Sequence, residues 1–357
     1  MKTILLKANN FTPLKRTPWA GTRIAKQFKN ELGLDFSSAQ IGESWELSVE
    51  PDFPSYAMQS NQSLAEILAS EPEAYLGKEY QAGRNSTALL VKLLDAGEAL
   101  SVQIHPSDNY QGLKPEEAGK PESWYVLAAS PNSGVYVGLK KGASKEAMRQ
   151  CLQERGDFSE FLHFVALEPG DFLVIEAGMP HAVGAGVTLI EPQHVLPGKR
   201  GVTYRYWDWN RRYAKDGSAD PQGSPRELHL DHALAVTNWD LAENDAWLTR
   251  VFRRSGRANT TGSVQLDALC GKGSKALPSD FLNVSRIQGN GSLRIPDSGY
   301  LMGLTVVAGE ITIEAERDSV TVKKGESAAI PAVFSGNGQL HCKQAHALIS
   351  TVNVSQD

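Results

Sequence analysis

Cysteine is scarce in this sequence, which contains only Cys151, Cys270 and Cys342. These three residues are odd in number, lie far apart and form no Cys-x-x-Cys pair. Disulfide frameworks and thiolate zinc sites both need closely spaced or evenly numbered cysteines. The sequence therefore indicates neither of them, and any metal site has to use other ligands.

Long apolar runs are also missing. No stretch approaches the roughly 20 apolar residues that cross a bilayer as a helix. The apolar run at residues 3–6 is much shorter than the hydrophobic region of a secretory signal. We therefore expect a cytoplasmic protein without a membrane-spanning segment.

The chain has no excess of positive charge. It contains 36 Lys and Arg against 41 Asp and Glu, which gives a net charge of −5. No basic stripe is present, so we expect no nucleic-acid partner. A small anionic substrate remains compatible with this charge, because a local basic pocket can oppose the field of the whole protein.

What the sequence does contain is mainly strand-forming. Its 357 residues suffice for two ordinary domains or one large one. Alternating or continuous apolar patterns predict strands at 4–10, 41–50, 89–106 and 167–190, and a series of short strands over 281–353. Helical spacing predicts helices at 63–79 and 144–164. Residues 211–227, rich in Gly, Pro, Ser and charge, are predicted to form a loop or linker.

A weak internal repeat connects the two halves. Residues 169–181 and residues 324–334 both read as a Gly-acid turn, an apolar strand and a Pro turn. This pattern resembles the cupin barrel, a small double-stranded β-helix. We therefore predict a mainly β chain with two cupin-like β-barrel domains, over 1–240 and 241–357, and a few helices packed on the first.

Chemistry is suggested first by the segment around His105. Because alternate residues of a strand share a face, Gln103 and His105 point to one side, and Val102 and Ile104 point to the other. Buried polar side chains need partners, and a metal ion is one possible partner. The alternative is that Gln103 and His105 only form hydrogen bonds with their surroundings.

Two further residues fit the same hypothesis. Glu122 enters an apolar strand, where it is either a ligand or the salt-bridge partner of Lys120. His181 follows a Pro turn and precedes a Gly-rich segment, and it is either a ligand or a structural histidine. Together with Gln103 and His105 they form an N/O set suited to a divalent cation, with zinc as the default and iron, cobalt or manganese as alternatives. One carboxylate leaves the site with a positive charge, which suits a substrate that becomes an oxyanion.

Several segments resemble the mannose-6-phosphate isomerase (phosphomannose isomerase) family, whose members are zinc-dependent cupins. These segments follow one another in the family's order between residues 19 and 213. They are WAGTR at 19–23, GESWELS at 42–48, SVQIHPSD at 101–108, KPESWYVL at 120–127, PHAVGAG at 180–186 and YRYWDW at 204–209.

The resemblance implies one zinc ion per chain, bound by Gln103, His105, Glu122 and His181. It places Lys120 in the active site and makes Arg205 the catalytic arginine. The implied reaction interconverts mannose 6-phosphate and fructose 6-phosphate through a cis-enediol, so the expected partner is a small hexose 6-phosphate. Separately, only the first copy of the internal repeat has a histidine after its Pro turn, so we expect only the first domain to bind metal.

Other roles stay open at this point. Besides Arg205, the phosphate ligand candidates are Lys199 and Arg200, which are otherwise an ordinary solvated charge pair. Glu191 is a further substrate-binding candidate, in a loop over 191–201 that departs from the family's usual pattern. The candidates for proton transfer are Lys120, Glu43, Glu46, Glu191, Asp208 and His194.

Two alternative functions compete with this reading. One is a non-catalytic cupin that binds sugar or regulates, which loss of Lys120, Arg205 or a ligand would favour. The other is an isomerase of a different sugar phosphate. The sequence predicts no oligomeric state.

Overall fold

Three antiparallel sheets dominate the computed structural model, which describes residues 1–36, 38–272 and 276–354. The first sheet has six strands in the spatial order β14 (Phe252–Arg253), β9 (Phe172–Ile175), β6 (Glu122–Ala129), β11 (Val187–His194), β3 (Leu89–Ala96) and β2 (Glu43–Leu47). The second has five strands in the order β13 (Tyr204–Trp207), β4 (Val102–Ile104), β10 (His181–Val183), β7 (Gly134–Val137) and β8 (His163–Ala166). A short parallel pair joins β5 (Glu117–Ala118) to β12 (Arg200–Gly201).

The third sheet belongs largely to the C-terminal third of the chain. Its seven strands are β1 (Ile4–Leu5), β19 (Ser327–Ile330), β17 (Met302–Ala315), β20 (Gln339–Val352), β16 (Leu282–Arg294), β15 (Gln265–Cys270) and β18 (Asp318–Lys323), which pairs with β17. Its long strands contain bulges, which bend a strand and increase its twist. The sheet encloses a separate apolar cluster that includes Leu304 and Leu340.

The six-stranded and five-stranded sheets face each other across one core. Inward-facing residues of both sheets, such as Val135 and Val137 on β7 and Trp124 and Leu189 on the other sheet, belong to a single buried cluster. Alternate residues of a strand point to opposite faces, so the six-stranded sheet has a second, outer face. This outer face packs against the C-terminal sheet, and Leu93 lies in the same buried cluster as residues of β16 and β20.

Strands β3 and β11 are therefore buried on both faces, and every residue of each is buried. A strand covered on both sides can be apolar throughout, which explains the near-continuous apolar run that begins at Leu89. The charged residues within these strands are consequently the unusual ones.

The predicted helix over 63–79 exists as three short helices, α1 (Leu64–Ser70), α2 (Pro72–Leu76) and α3 (Lys78–Gln81). Pro72 starts a new helix because it lacks the N–H that would continue the previous one. Gly77 has φ of 56°, outside the helical region, and interrupts the chain a second time. Ser63 caps α1 through a capping box with Glu66, as expected from the sequence.

The prediction of a helix over 144–164 is correct only in its first half. Helix α4 (Lys145–Gln153) ends before Arg155, whose φ of 56° is left-handed. A 3-10 turn at Phe158–Phe161 follows, and β8 then starts at His163. The apolar residues after α4 still pack in the first core, although they lie in the 3-10 turn and the strand rather than in a helix.

The remaining α-helices of the described residues are α5 (Leu230–Val236) and α6 (Leu248–Val251), and both pack against the first core. A π-helix at Ile24–Phe28 and 3-10 helices at Trp239–Ala242 and Ala332–Phe334 complete the helical segments. Residues 211–227 form a loop without named strands or helices, as predicted. The fold is mainly β, as predicted, whereas the division of the chain at residue 240 stays a prediction. Within the described residues, no helix combines the length and apolar character needed to cross a membrane.

Candidate active site

The residues with metal-ligand chemistry come from the two facing sheets of the first core. On the five-stranded sheet, Gln103 of β4 lies directly opposite His181, the first residue of β10. His105 follows the end of β4, and Glu122 is the first residue of β6 on the other sheet. One nitrogen or oxygen atom from each of His105, Glu122 and His181 lies within 4.8 Å of the others.

Both imidazoles are held by their Nδ1 atoms. His105 Nδ1 lies 2.9 Å from the carbonyl oxygen of Val202, and His181 Nδ1 lies 2.8 Å from that of Met179. Since a carbonyl accepts only, each Nδ1 carries the proton and each Nε2 keeps its lone pair. Both Nε2 atoms are buried and have no hydrogen-bond partner.

Glu122 completes the group. Its Oε1 lies 3.4 Å from His181 Nε2, and its Oε2 lies 3.4 Å from His105 Nε2. Gln193 donates a hydrogen bond of 2.6 Å to Oε2, which leaves Oε1 buried without a hydrogen-bond partner. Three converging, unsatisfied acceptor atoms in a buried site fit a divalent cation, since native proteins rarely leave such atoms unpaired.

The ionisation states of these residues favour cation binding. Burial lowers the pKa of His105 to about 3, and burial also lowers the pKa of His181, so both rings are neutral at physiological pH. Burial opposes the ionisation of Glu122, but His105, Lys120 and His181 outweigh it and hold the pKa of Glu122 well below its ordinary value. Neutral imidazoles and an ionised carboxylate are the forms in which these side chains bind metals.

A cavity of about 310 Å³ opens beside this group, and Gln103 forms part of its wall. The wall carries more cations than anions. Its charged side chains are Arg16, Lys92, Lys120, Arg205 and Arg226 against Glu43, Glu50 and Glu191. A cleft with this balance attracts an anionic substrate although the whole chain is acidic.

Lys120 and Arg205, the two candidate catalytic residues, both line the cavity. Lys120 is buried, with Nζ 3.7 Å from Glu122 Oε2. Arg205 donates from Nε to Ser101 Oγ at 3.2 Å and from Nη1 to the carbonyl oxygen of Glu227 at 2.7 Å. Burial, followed by repulsion from Arg226, lowers the pKa of Arg205 to about 10, so the guanidinium stays charged at neutral pH.

Of the other candidates for substrate binding, one lines the cavity and two do not. Glu191 lines the cavity, where Trp124 Nε1 donates to it at 3.0 Å and Lys92 Nζ lies 3.8 Å away. Lys199 and Arg200 do not line the cavity, and Arg200 is exposed and pairs with Asp52 at 3.2 Å. The adjacent Gly201 does line the cavity, but the structure does not bring these two cations together with Arg205 in its wall.

The candidates for proton transfer also differ in whether they line the cavity. Glu43 lines the cavity, whereas Glu46 is paired with Lys29 at 2.8 Å outside it. Asp208 binds Arg211 and Arg226, and His194 packs on Phe281 at the outer face of the sheet. Glu46, Asp208 and His194 are therefore absent from the cavity wall. Glu43, Glu191 and Lys120 remain.

Sequence reasoning missed three cations of the cavity wall. Lys92 is a buried lysine in the middle of β3, with Nζ 4.4 Å from the centre of the Trp45 ring. A lysine inside an otherwise largely apolar strand was the available signal for Lys92. Arg226 lies in the loop after β13, and Arg16 stacks 4.6 Å from the centre of the Phe53 ring. Nothing in their local sequence distinguishes these two arginines from surface residues.

One histidine of the C-terminal sheet lies beside an acidic side chain. His341 Nε2 is 3.1 Å from Glu314 Oε2. Glu314 is a diagonal neighbour on β17, two residues from the position opposite His341, and long side chains reach across that distance. The absence of metal from this part of the chain stays a prediction.

Comparisons with known proteins show which proteins this chain is similar to. Residues 12–125 match the family model described as phosphomannose isomerase type I, catalytic domain. A mannose-6-phosphate isomerase of Streptococcus mutans is 28% identical over 340 residues, covering 92% of this chain and 94% of the relative. A mannose-6-phosphate isomerase of Bacillus subtilis is 31% identical over 231 residues, covering 63% of this chain and 66% of the relative.

Solved structures show the same fold over nearly the whole chain. The crystal structure of a mannose 6-phosphate isomerase from Bacillus subtilis superposes with a TM-score of 0.73 at 23% identity, covering 98% of this chain and 99% of that one. A putative mannosephosphate isomerase from Archaeoglobus fulgidus gives a TM-score of 0.73 at 21% identity, covering 99% and 98%. At these identities the likeness is one of fold.

Proposed function

The chain belongs to the type I phosphomannose isomerase family, and we propose that it interconverts mannose 6-phosphate and fructose 6-phosphate through a cis-enediol. The observation that carries the proposal is the site itself. Two imidazole nitrogens and a carboxylate oxygen converge without protein partners beside a cavity that is rich in cations. An aldose-ketose isomerase of a sugar phosphate needs a metal or cation at the sugar oxygens and positive charge for the phosphate.

The proposed metal is zinc, one ion per chain, bound by His105, Glu122 and His181 with Gln103 as the fourth ligand. Nitrogen and oxygen donors of this kind suit zinc, and they also accept iron, cobalt or manganese. When bound, the cation supplies Lewis-acid stabilisation of negative charge on the sugar oxygens.

The chain's own side chains supply the rest of the chemistry. Lys120 presents a positive charge beside the metal ligands, where it can donate a hydrogen bond to the oxygen that gains charge in the enediolate. Arg205 supplies a second fixed charge, and its permanent protonation assigns it charge stabilisation rather than base chemistry.

Proton transfer between C2 and C1 falls to a side chain of the cavity wall. Burial, followed by repulsion from Glu122, raises the pKa of Glu191 to about 8. Lys92, Trp45, Arg16 and Lys120 outweigh burial and hold the pKa of Glu43 below its ordinary value. A group that takes and returns a proton works best with a pKa near the working pH. A cation on Glu122 would weaken the repulsion that raises the pKa of Glu191, so Glu191, Glu43 and Lys120 all stay candidates for this role.

A non-catalytic sugar-binding cupin is not favoured, because Lys120 and Arg205 both remain at the cavity. The substrate proposal is tested by a coupled assay with a panel of hexose phosphates. We expect mannose 6-phosphate and fructose 6-phosphate to give the highest kcat/KM by at least about tenfold, since the site has to match both the sugar and the phosphate. Preference for a different aldose phosphate would contradict the proposed substrate. The cytoplasmic location expected from the sequence is part of the same proposal.

A further inference from the structure

Gly201 lies where the side chain of Lys120 crosses the cavity wall. A Cβ atom added to Gly201 would lie 2.8 Å from Lys120 Cδ and 3.1 Å from Lys120 Cγ. It would also lie 3.1 Å from Val195 Cγ2. Carbon atoms in contact are normally about 3.5–4.0 Å apart, so any side chain at position 201 would displace the lysine.

The backbone at position 201 does not itself require glycine. Its φ lies outside the left-handed region that favours this residue, unlike that of Gly198 in the same loop, which is 75°. Glycine is therefore needed at position 201 for space rather than for conformation. The space is occupied by the methylene groups of Lys120.

The wall on which Gly201 lies is fixed. Arg200 N donates to Glu116 O at 2.9 Å and Val202 N donates to Ala118 O at 3.0 Å, which ties the segment to the strand just before Lys120. The carbonyl oxygen of Val202 in turn accepts the Nδ1 proton of His105. The wall therefore cannot retreat from a larger residue 201 without moving a metal-ligand candidate, and the lysine chain has to yield instead.

We propose that Gly201 is a positioning residue for the isomerisation. Its missing side chain creates the groove in which the Lys120 side chain runs towards Glu122. A lysine side chain has four rotatable bonds and holds its ammonium poorly unless its stem is confined. The groove at Gly201 confines that stem on one side, and the buried site confines the ammonium. The inference rests on the proposed function of Lys120.

The test is Gly201→Ala, measured as kcat and KM for mannose 6-phosphate together with metal content and melting temperature. We expect kcat to fall by about 10–100-fold, because displacing a catalytic group by about 1 Å is enough for such a loss. KM, metal content and melting temperature should stay close to those of the wild type. A crystal structure of the variant should show Lys120 Nζ moved from its 3.7 Å distance to Glu122.

A double-mutant cycle separates positioning from packing. Lys120→Ala removes the methylene groups that Gly201 accommodates, so adding Gly201→Ala should cause no further loss of kcat. Gly262→Ala is the matched control, because its added Cβ would meet nothing closer than 3.1 Å and its φ is unstrained. This control should behave as the wild type.

Three outcomes would overturn the inference. The first is a Gly201→Ala enzyme with a kcat within about twofold of the wild type, a change of less than 0.5 kcal/mol in the barrier. The second is a loss of kcat from Gly201→Ala that is as large in the Lys120→Ala background as in the wild type. The third is a variant that fails to fold or loses its metal, which would make Gly201 a packing residue. A wild-type protein without isomerase activity would instead contradict the proposed function.

Discussion

The Nδ1 atoms of His105 and His181 decide what their rings can do. Each Nδ1 donates its proton to a main-chain carbonyl, and this fixes the tautomer that leaves Nε2 with a lone pair. The two lone pairs and Glu122 Oε1 have no protein partner, and burying unsatisfied acceptors costs free energy. A cation bound by these three atoms would remove that cost.

Replacing either histidine tests this reading. We expect His105→Ala and His181→Ala each to lose metal affinity by at least about tenfold and to lose isomerase activity with it. Elemental analysis of the purified variants measures the metal, and His341→Ala is a matched control on the C-terminal sheet. A full complement of metal in both variants would show that these residues are not the ligands.

Arg205 is held at the cavity wall by hydrogen bonds. The neighbouring carboxylate of Asp208 binds Arg211 and Arg226, while Arg205 donates to Ser101 and to the backbone of Glu227. Its planar fork is therefore oriented at the cavity wall by two directed hydrogen bonds.

Arg205→Lys keeps the positive charge but loses the planar fork. We expect the variant to keep its melting temperature and metal content and to lose about 10²-fold in kcat, as for the loss of a preorganised charge-stabilising donor. Steady-state kinetics and thermal denaturation provide the measurements, with exposed Arg212→Lys as the matched control. Early melting with normal turnover of the folded fraction would make Arg205 a structural residue.

Among the elements, strands and helices differ in how far the sequence determines them. Strands β3 and β11 are buried on both faces, and their apolar runs predict them directly. The helical segment over 63–79 has helical spacing throughout, but Pro72 and Gly77 divide it into three helices. Its N-terminus is the best-defined part, because Ser63 and Glu66 satisfy each other's free backbone donors.

Ser63→Ala removes this cap. We expect it to lower the free energy of unfolding by about 1 kcal/mol, the usual cost of losing a serine cap, and to leave kcat unchanged because α1 does not contribute to the cavity wall. Urea denaturation measures the change. Ser70→Ala at the other end of α1 makes the same chemical change without a cap and should alter stability by less than about 0.5 kcal/mol. Equal losses in both variants would contradict the capping role.

At the scale of the whole molecule, the C-terminal sheet packs against the outer face of the sheet that carries Glu122. Tyr125 on β6 and His346 on β20 lie across this boundary, with the Tyr125 hydroxyl 2.9 Å from His346 Nε2. Burial, followed by repulsion from Arg286, lowers the pKa of His346 to about 4. The contact therefore requires a neutral imidazole.

This contact predicts a loss of stability in acid. An unfolded histidine has a pKa of about 6.5, so between pH 6.5 and pH 4 the unfolded chain binds a proton at His346 that the folded chain does not. The contribution is fully present above pH 6.5 and is lost as the pH falls towards 4, by at most about 3 kcal/mol. His346→Gln should therefore narrow the difference in unfolding free energy between pH 7 and pH 4.5, measured by urea denaturation. An unchanged difference would contradict the assignment.

Much of the fold and of the metal group could be predicted because both depend on local pattern. Strand alternation puts Gln103 and His105 on one face, and the Pro turn before His181 marks another ligand candidate. The wall of the cavity could not be predicted in the same way. Arg16 and Arg226 reach it from loops whose paths depend on tertiary packing, while Lys199 and Arg200 do not line it. The restraint of Lys120 by Gly201 depends on contacts between segments about 80 residues apart in sequence.

The proposed metal site is tested most directly by the isomerisation of mannose 6-phosphate, measured on one preparation of the protein before chelation, after chelation and after addition of zinc. We expect activity to disappear when the metal is removed and to return as zinc approaches one ion per chain. Wild-type turnover by protein that elemental analysis shows to be free of metal would mean that His105, Glu122 and His181 do not hold a catalytic cation.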